Sequence, residues 1–277
     1  MDYISVQQQG DDTVLTGIKY FDLAQILDCG QAFRWTLINA GQFTGVAHGR
    51  RLDILLSNNN LILKDVPFAE FESIWKHYFD LGRDYGNLRE MLSRDDRMSK
   101  PLEFSPGLRL MRQDAWEVLI SFILSQNSNI PRIKKMIELL CQCYGKALPC
   151  GMFTFPSPEA IAALTVKDLE SIKLGYRAPY IIDAAQRVAG GSLDLASIST
   201  RPTYAVREAL LRVNGVGPKV ADCVLLFGFG RLECFPLDVH IKKVMAKFYP
   251  KGLPDELIEY AGIAQQFLFH YARVHGL

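Results

Sequence analysis

The stretch VNGVGPKVADCVLLFG, residues 213–228, sets Gly215 and Gly217 around a valine, then places Pro218 and Lys219 where an apolar helical pattern begins. The preceding run TYAVREALLRV has apolar residues at helical spacing, so two helices meet across Asn214-Gly215-Val216-Gly217, with Gly217 as the expected N-cap. The arrangement is a helix-hairpin-helix, in which glycines let the backbone come close to a ligand. Unpaired N–H groups at the start of the second helix, that of Val220 among them, point outward and suit an oxygen anion. A DNA phosphate fits, because such a contact fixes position without reading sequence. A tight helical turn that binds nothing has the same spacing.

Lys219 occupies the first turn of that helix, where the macrodipole disfavours a cation. Desolvation by Val220, Val224 and Leu225 of the same helix would also favour the neutral amine. A neutral lysine beside a bound phosphodiester is a nucleophile suited to a sugar anomeric carbon, with a Schiff base as product. A solvated lysine that pairs with phosphate is the alternative reading. Further on, CFPLDVHIKKVMAKFY puts Asp238 directly before a helix, after Pro236 has held the chain extended. Asp238 reads as an N-cap, and the same ionised carboxylate is a fixed charge able to stabilise an oxocarbenium-like sugar.

Composition places these features in an ordinary globular chain of 277 residues, 49% hydrophobic and 22% charged. The apolar run VLISFIL, residues 118–124, is far shorter than the roughly 18 residues of a membrane span. The start MDYISVQQQGDD lacks the basic-then-apolar layout of a signal peptide, so an intracellular protein with no membrane partner is expected. Six cysteines at 29, 141, 143, 150, 223 and 234 are expected to be free thiols. Cys141, Cys143 and Cys150 have no fourth ligand nearby, so no metal is expected. Net charge is +1, divided as −4 over residues 1–105 and +5 over 106–277, which puts any nucleic-acid footprint in the second half.

The first 65 residues alternate β-rich runs (FRWTLI, QFTGVAHG, RRLDILLS, NLILKDV) with turns, the pattern of an antiparallel meander with a short helix at DLAQILDCG. Helical stretches AEFESIWKHYFDL and DYGNLREMLSR follow, before KPLEFSPG, residues 100–107, breaks the pattern. From about residue 108 the chain reads as helical, with Ser157 capping SPEAIAAL and Thr165, backed by Asp168, capping TVKDLESIK. The expected fold is therefore α+β: an N-terminal antiparallel sheet with short helices over residues 1–105, then an all-α domain over 106–277.

The combination GVGPKVADC…PLDVHI resembles the helix-hairpin-helix DNA glycosylases that carry a Gly/Pro-rich loop and an essential aspartate, most closely their 8-oxoguanine DNA glycosylase/AP lyase branch. LDCGQAFRW at 27–35, SQNSNIPRI at 125–133, LGYRA at 174–178 and AGIAQQFLF at 261–269 extend the likeness over nearly the whole chain. The resemblance implies a base excision repair enzyme. Lys219 displaces the damaged base and opens the strand by β-elimination, with Asp238 as electrostatic and proton-handling partner. The target nucleotide must first be flipped out, at a cost of about a few kcal/mol for unstacking.

By the same resemblance, Gly30 aims a carbonyl at N7 of 8-oxoguanine, which oxidation has turned from acceptor to donor. Cys223 and Phe269 sandwich the base, and Gln265 reaches its Watson–Crick edge. Asn127 fills the gap left behind, Arg132 and Arg177 read the orphaned cytosine, and Tyr176 wedges the duplex. Gly215, Gly217, Val220 and His240 contact phosphate.

The partner implied is double-stranded DNA carrying an oxidised purine opposite cytosine, met by a monomer without cofactor. The compartment is the cytoplasm at the nucleoid in a prokaryote and the nucleus in a eukaryote. No cysteine follows Cys234, so the iron–sulfur cluster of the endonuclease III type is not expected. Ser128 stands where eukaryotic relatives carry asparagine, and Pro218 where threonine is familiar. Two rivals share these motifs: a DNA-binding protein that uses the hairpin for phosphate alone, and a monofunctional glycosylase that works through Asp238 and water.

Overall fold

Alternation of apolar and polar residues along the N-terminal runs builds a six-stranded antiparallel sheet, as a computed structural model describes for residues 1–149 and 151–276. Its strands are β1 Ser5–Gln9, β2 Asp12–Thr16, β3 Trp35–Asn39, β4 Gln42–Ala47, β5 Arg50–Ser57 and β6 Asn60–Lys64, in the order β1-β2-β6-β5-β4-β3. The β5–β6 register sets buried Ile54 against Leu63 and half-buried Leu56 against buried Leu61, so the apolar residues of neighbouring strands share a face. Between β2 and β3 the short helix Leu23–Leu27 starts at Asp22, whose Oδ1 accepts from the Gln25 N–H at 2.8 Å. The remaining regular elements among the described residues are helices, apart from an isolated bridge between Ala147 and Phe153, and the fold is α+β.

Two compact units emerge. One comprises Met1–Gly45, Leu52–Arg112 and Leu232–Leu277; the other comprises Val46–Arg51 and Gln113–Arg231. The sequence suggests a single division near residue 105, whereas the spatial grouping returns the C-terminal stretch to the first unit. The reason lies in the helix Ala261–His275, buried from Ala261 through Leu268, which packs on Ser99–Phe104 and Val239–Phe248. In the first unit Arg109 is almost wholly buried, with Nη2 2.5 Å from Asp2 Oδ2 and further bonds to the carbonyls of Tyr20 and Asp80. Asp2 in turn accepts from the Tyr85 N–H at 2.8 Å, so the pair leaves no buried charge uncompensated.

Several elements differ from the sequence expectation. KPLEFSPG is not a plain connection: Ser99–Phe104 is helical, and Pro101 fits because its missing N–H falls in the first turn, where no intrahelical partner exists. The hairpin β1–β2 escapes the pattern because SVQQQ pairs along one edge only and carries no apolar alternation. Its register pairs Gln9 with Asp12 around Gly10-Asp11. Lys167–Ile172 is a 3-10 helix preceded by Val166 rather than an α-helix capped by Thr165. Asp168 nevertheless reaches back to the Thr165 N–H and hydroxyl, both at 2.7 Å, and those two bonds hold its carboxyl below the ordinary range. Leu195–Ile198 forms a further short helix on an Asp194 cap, and the C-terminal run divides into Asp255–Ile258 and Ala261–His275. Cys141 is buried and Cys143 exposed; Cys150 lies outside the described residues.

Buried in the first unit, Ser105 Oγ meets His270 Nδ1 at 2.9 Å, and desolvation pushes the His270 pKa below its usual 6.5. The unfolded chain therefore takes up this proton first as pH falls. The stability tied to neutral His270 is present above about pH 6.5 and lost on acidification through that value. Thermal melts of wild type and His270→Gln from pH 7.5 to 5 are expected to show a steeper acid decline in the wild type; parallel declines would contradict this.

Candidate DNA interface and active site

In the second unit, the hairpin forms as its sequence requires. Thr203–Leu211 ends in Val213-Asn214-Gly215-Val216, and Pro218–Cys223 starts behind Gly217. Gly215 has φ +79°, and a Cβ there would run into the ring of Tyr180, so backbone conformation and space both require glycine. Gly217 differs: an added Cβ would meet nothing within 4 Å. Internal packing therefore does not require glycine at this position.

The Asn214 N–H donates to Asp183 Oδ2 at 2.9 Å, and the same oxygen pairs with Arg187 at 2.8 Å. Burial works to raise the Asp183 pKa, but these two partners outweigh it and hold the carboxyl below its ordinary value. A second ion pair, Arg207 with Asp222, joins the two hairpin helices. The Ala221 N–H makes the first intrahelical bond, to the Gly217 carbonyl at 3.0 Å. That leaves the N–H groups of Lys219 and Val220 free of intrahelical partners at a positively polarised end. The Val220 side chain is buried, so its contribution to an interface is its N–H.

Lys219 is half-buried, with Nζ 4.7 Å from the centroid of the Phe122 ring. Phe122 is itself stacked on Phe227 at 5.5 Å and 10°. The aromatic shelf under the amine therefore comes from Ala115–Leu124 as well as from Lys219's own helical run. Cys223, one turn beyond Lys219, is buried.

The loop after Ala115–Leu124 carries Asn127, exposed and held at φ +47°. Arg177, 2% exposed, grips it: Nε donates to the Gln126 carbonyl at 3.0 Å, Nη2 to the Gln126 and Asn127 carbonyls, and Nη1 to the Leu174 carbonyl at 3.3 Å. Its guanidinium also lies 4.5 Å from the Tyr176 ring centroid. Tyr176 is 49% exposed and donates its hydroxyl to the Gln126 carbonyl at 3.1 Å. Arg132 is exposed in the first turn of Ile130–Tyr144, on the Asn129 cap. The two arginines thus stand in different states: Arg132 faces solvent, while the donors of Arg177 are engaged with its own chain.

The first unit gathers the remaining residues. Gly30 sits at φ +91° between two pinned neighbours. The Cys29 thiol accepts from Gln266 Nε2 at 3.1 Å, and burial pushes its pKa up, so it stays neutral. Gln31 donates to the carbonyls of Ile26 and Arg109 and accepts from the Met111 N–H. The residue before Gly30 is thereby tied to the helix Ala261–His275, and the residue after it to Arg109 and Met111. On that helix, Gln265 is 4% exposed, with Nε2 on the Pro236 carbonyl at 3.2 Å and an Oε1 that is buried without any partner. Phe269, half-buried one turn on, meets the His240 ring edge-on at 6.0 Å. Asp238 caps Val239–Phe248 as the sequence indicates, its Oδ1 accepting from the Ile241 N–H at 2.8 Å.

Each unit thus brings together its share of the expected residues: Lys219, Cys223, Gly215, Gly217, Val220, Asn127, Arg132, Tyr176 and Arg177 in one, and Gly30, Asp238, His240, Gln265 and Phe269 in the other. Phe122, Gln31 and Gln266 were not among them. Phe122 lies in an apolar helix with no local mark of its role, and the two glutamines act through partners remote in sequence.

Residues 120–257 match the HhH-GPD superfamily base excision DNA repair protein model, and residues 13–119 match the 8-oxoguanine DNA glycosylase N-terminal domain. The chain belongs to the HhH-GPD superfamily of base excision DNA repair proteins, in the line that carries the 8-oxoguanine DNA glycosylase N-terminal domain. It is 33% identical over 246 residues to the "Probable N-glycosylase/DNA lyase" of Methanothermobacter thermautotrophicus, covering 77% of this chain and 78% of that one. A solved structure of MBOgg1 in complex with a low affinity DNA ligand superposes with TM-score 0.94 at 40% identity, over 100% of both chains. The Clostridium acetobutylicum 8-oxoguanine glycosylase/lyase, in complex with duplex DNA containing cytosine opposite 8-oxoguanine, gives 0.93 at 34% identity, again over 100% of both chains.

Proposed function

We propose that this N-glycosylase/DNA lyase removes 8-oxoguanine paired with cytosine, using Lys219 as nucleophile and Asp238 as its electrostatic partner. The hairpin N–H groups hold a backbone phosphate while the lesion nucleotide is flipped out of the stack. The Lys219 amine, once it has given up its proton, attacks C1′. The C1′–N9 bond breaks, and the base leaves with the bonding pair and takes up a proton. Opening of the sugar yields a Schiff base between Nζ and C1′; loss of a C2′ proton then expels the 3′ phosphate, and water releases the enzyme. Asp238, anchored by the Ile241 N–H, supplies the negative charge that steadies the electron-poor sugar.

The observation that carries this reading is Lys219, fixed over Phe122 in the first turn behind a Gly217 whose Cα faces open space. Incubation with a duplex bearing one 8-oxoguanine opposite cytosine, under sodium borohydride, is expected to give a covalent protein–DNA band that undamaged duplex does not. Released base without a band would transfer the chemistry to Asp238 and water. No base release would leave a hairpin that only holds phosphate.

Gln265 Oε1 supports base recognition. A buried acceptor without a partner costs about 1–3 kcal/mol, and a base edge entering beside it would answer it. Gln265→Met keeps the volume and removes the orphan. Because the bond to the Pro236 carbonyl is lost together with the orphan, its melting temperature is expected to change little, while kcat/KM for 8-oxoguanine drops about tenfold or more. A stability loss with unaltered excision would show the residue to be structural.

Exposed Arg132 supports preference for cytosine opposite the lesion, while Arg177, its donors bound to the Gln126, Asn127 and Leu174 carbonyls, holds the neighbouring loop. No helix among the described residues is long and apolar enough to cross a membrane. The protein would act as a monomer on duplex DNA, at the nucleoid or in the nucleus.

A further inference from the structure

We infer that Gln126 is a positioning residue that couples the phosphate-binding hairpin to the loop bearing Asn127, so that anchoring the backbone and filling the gap of a flipped base proceed together. This deepens the function proposed above and rests on Asn127 entering that gap. Gln126 Nε2 donates to the Gly215 carbonyl at 2.9 Å and to the Ile123 carbonyl at 3.1 Å, joining the hairpin turn to the end of Ala115–Leu124. Its own carbonyl receives the Tyr176 hydroxyl and two nitrogens of Arg177.

These contacts close a ring. From Gly215 the path runs to Tyr180, whose ring blocks any side chain there, then to Tyr176 at 6.1 Å between centroids, and back through the Tyr176 hydroxyl to Gln126. Asn127 is the next residue, and Arg177 fixes its carbonyl at 3.1 Å. A displacement of the Gly215 turn by a phosphate is therefore passed through one side chain to the backbone directly before Asn127. With side chain and carbonyl both committed, Gln126 joins elements that sequence separates by 89 residues.

Gln126→Ala and Gln126→Met, the latter preserving volume should the former fail to fold, separate this role from chemistry. Stopped-flow fluorescence of 2-aminopurine placed beside 8-oxoguanine, opposite cytosine, reports base extrusion. Borohydride trapping on a preformed abasic site, which has no base to extrude, reports the Schiff-base step. Both variants are expected to slow the fluorescence rise about tenfold, as loss of a bridging pair of hydrogen bonds implies, while abasic trapping changes less than about twofold. An unchanged rise in the variants, or an equal loss in both readouts, overturns the inference while leaving the proposed reaction standing. Absence of any lesion-dependent rise in wild type overturns base extrusion itself, and this inference with it.

Discussion

Lys219→Gln is expected to abolish the borohydride-trapped adduct and to reduce base release and strand cleavage about a thousandfold or more, since in the proposed reaction both follow from one bond between Nζ and C1′. Glutamine retains much of the stem that crosses the Phe122 ring, and Gly217 still opens the hairpin. Damaged duplex should therefore still bind. The lost cation would lower the slope of log K against log salt by at most about 1. Filter binding across a salt series, run beside single-turnover excision, separates the two effects. Base release at the wild-type rate by this mutant would remove Lys219 from the chemistry.

Asp238→Asn isolates charge from folding. The carboxylate caps Val239–Phe248 and is proposed to supply the negative charge beside the sugar, and asparagine retains an oxygen able to accept the Ile241 N–H. Stability should be little altered, whereas single-turnover excision is expected to fall about 10²–10³-fold through loss of an electrostatic contribution to the transition state. Asp238→Ala should add a capping loss of about 1 kcal/mol to the same catalytic defect. Equal excision by wild type and Asp238→Asn would confine the residue to capping.

The placement of both residues at helix starts was legible in the sequence for a physical reason: each stands where backbone geometry leaves a local signature. Gly217 before Pro218 marks a helix start, and so does Asp238 after Pro236. A side chain placed on such a boundary is visible without tertiary information. The meander β3–β6 was visible because alternation survives where one sheet face is buried. The edge strand β1 was not, because SVQQQ buries too little to impose a pattern. Gln126 and Gln31 are ordinary polar residues until their partners, 89 and 78 residues away, come within hydrogen-bonding distance. Arg177 was legible as a residue of interest through LGYRA, but its grip on the Gln126 and Asn127 carbonyls belongs to the folded chain alone. The division of the molecule was obscured similarly, because the helix Ala261–His275 returns to residues that precede it by more than 150 positions.

The unanswered oxygen of Gln265 has a thermodynamic corollary. In the reaction proposed above, the edge of the lesion would answer that oxygen, so this part of the interior would be completed only with substrate in place. The excised base, lingering after its bond to the sugar is cut, would act as a small stabilising ligand, and free 8-oxoguanine should raise the melting temperature in proportion to its occupancy. Turnover would then end by withdrawing a piece of the interior, which would make departure of the base a step that opposes the enzyme's own stability.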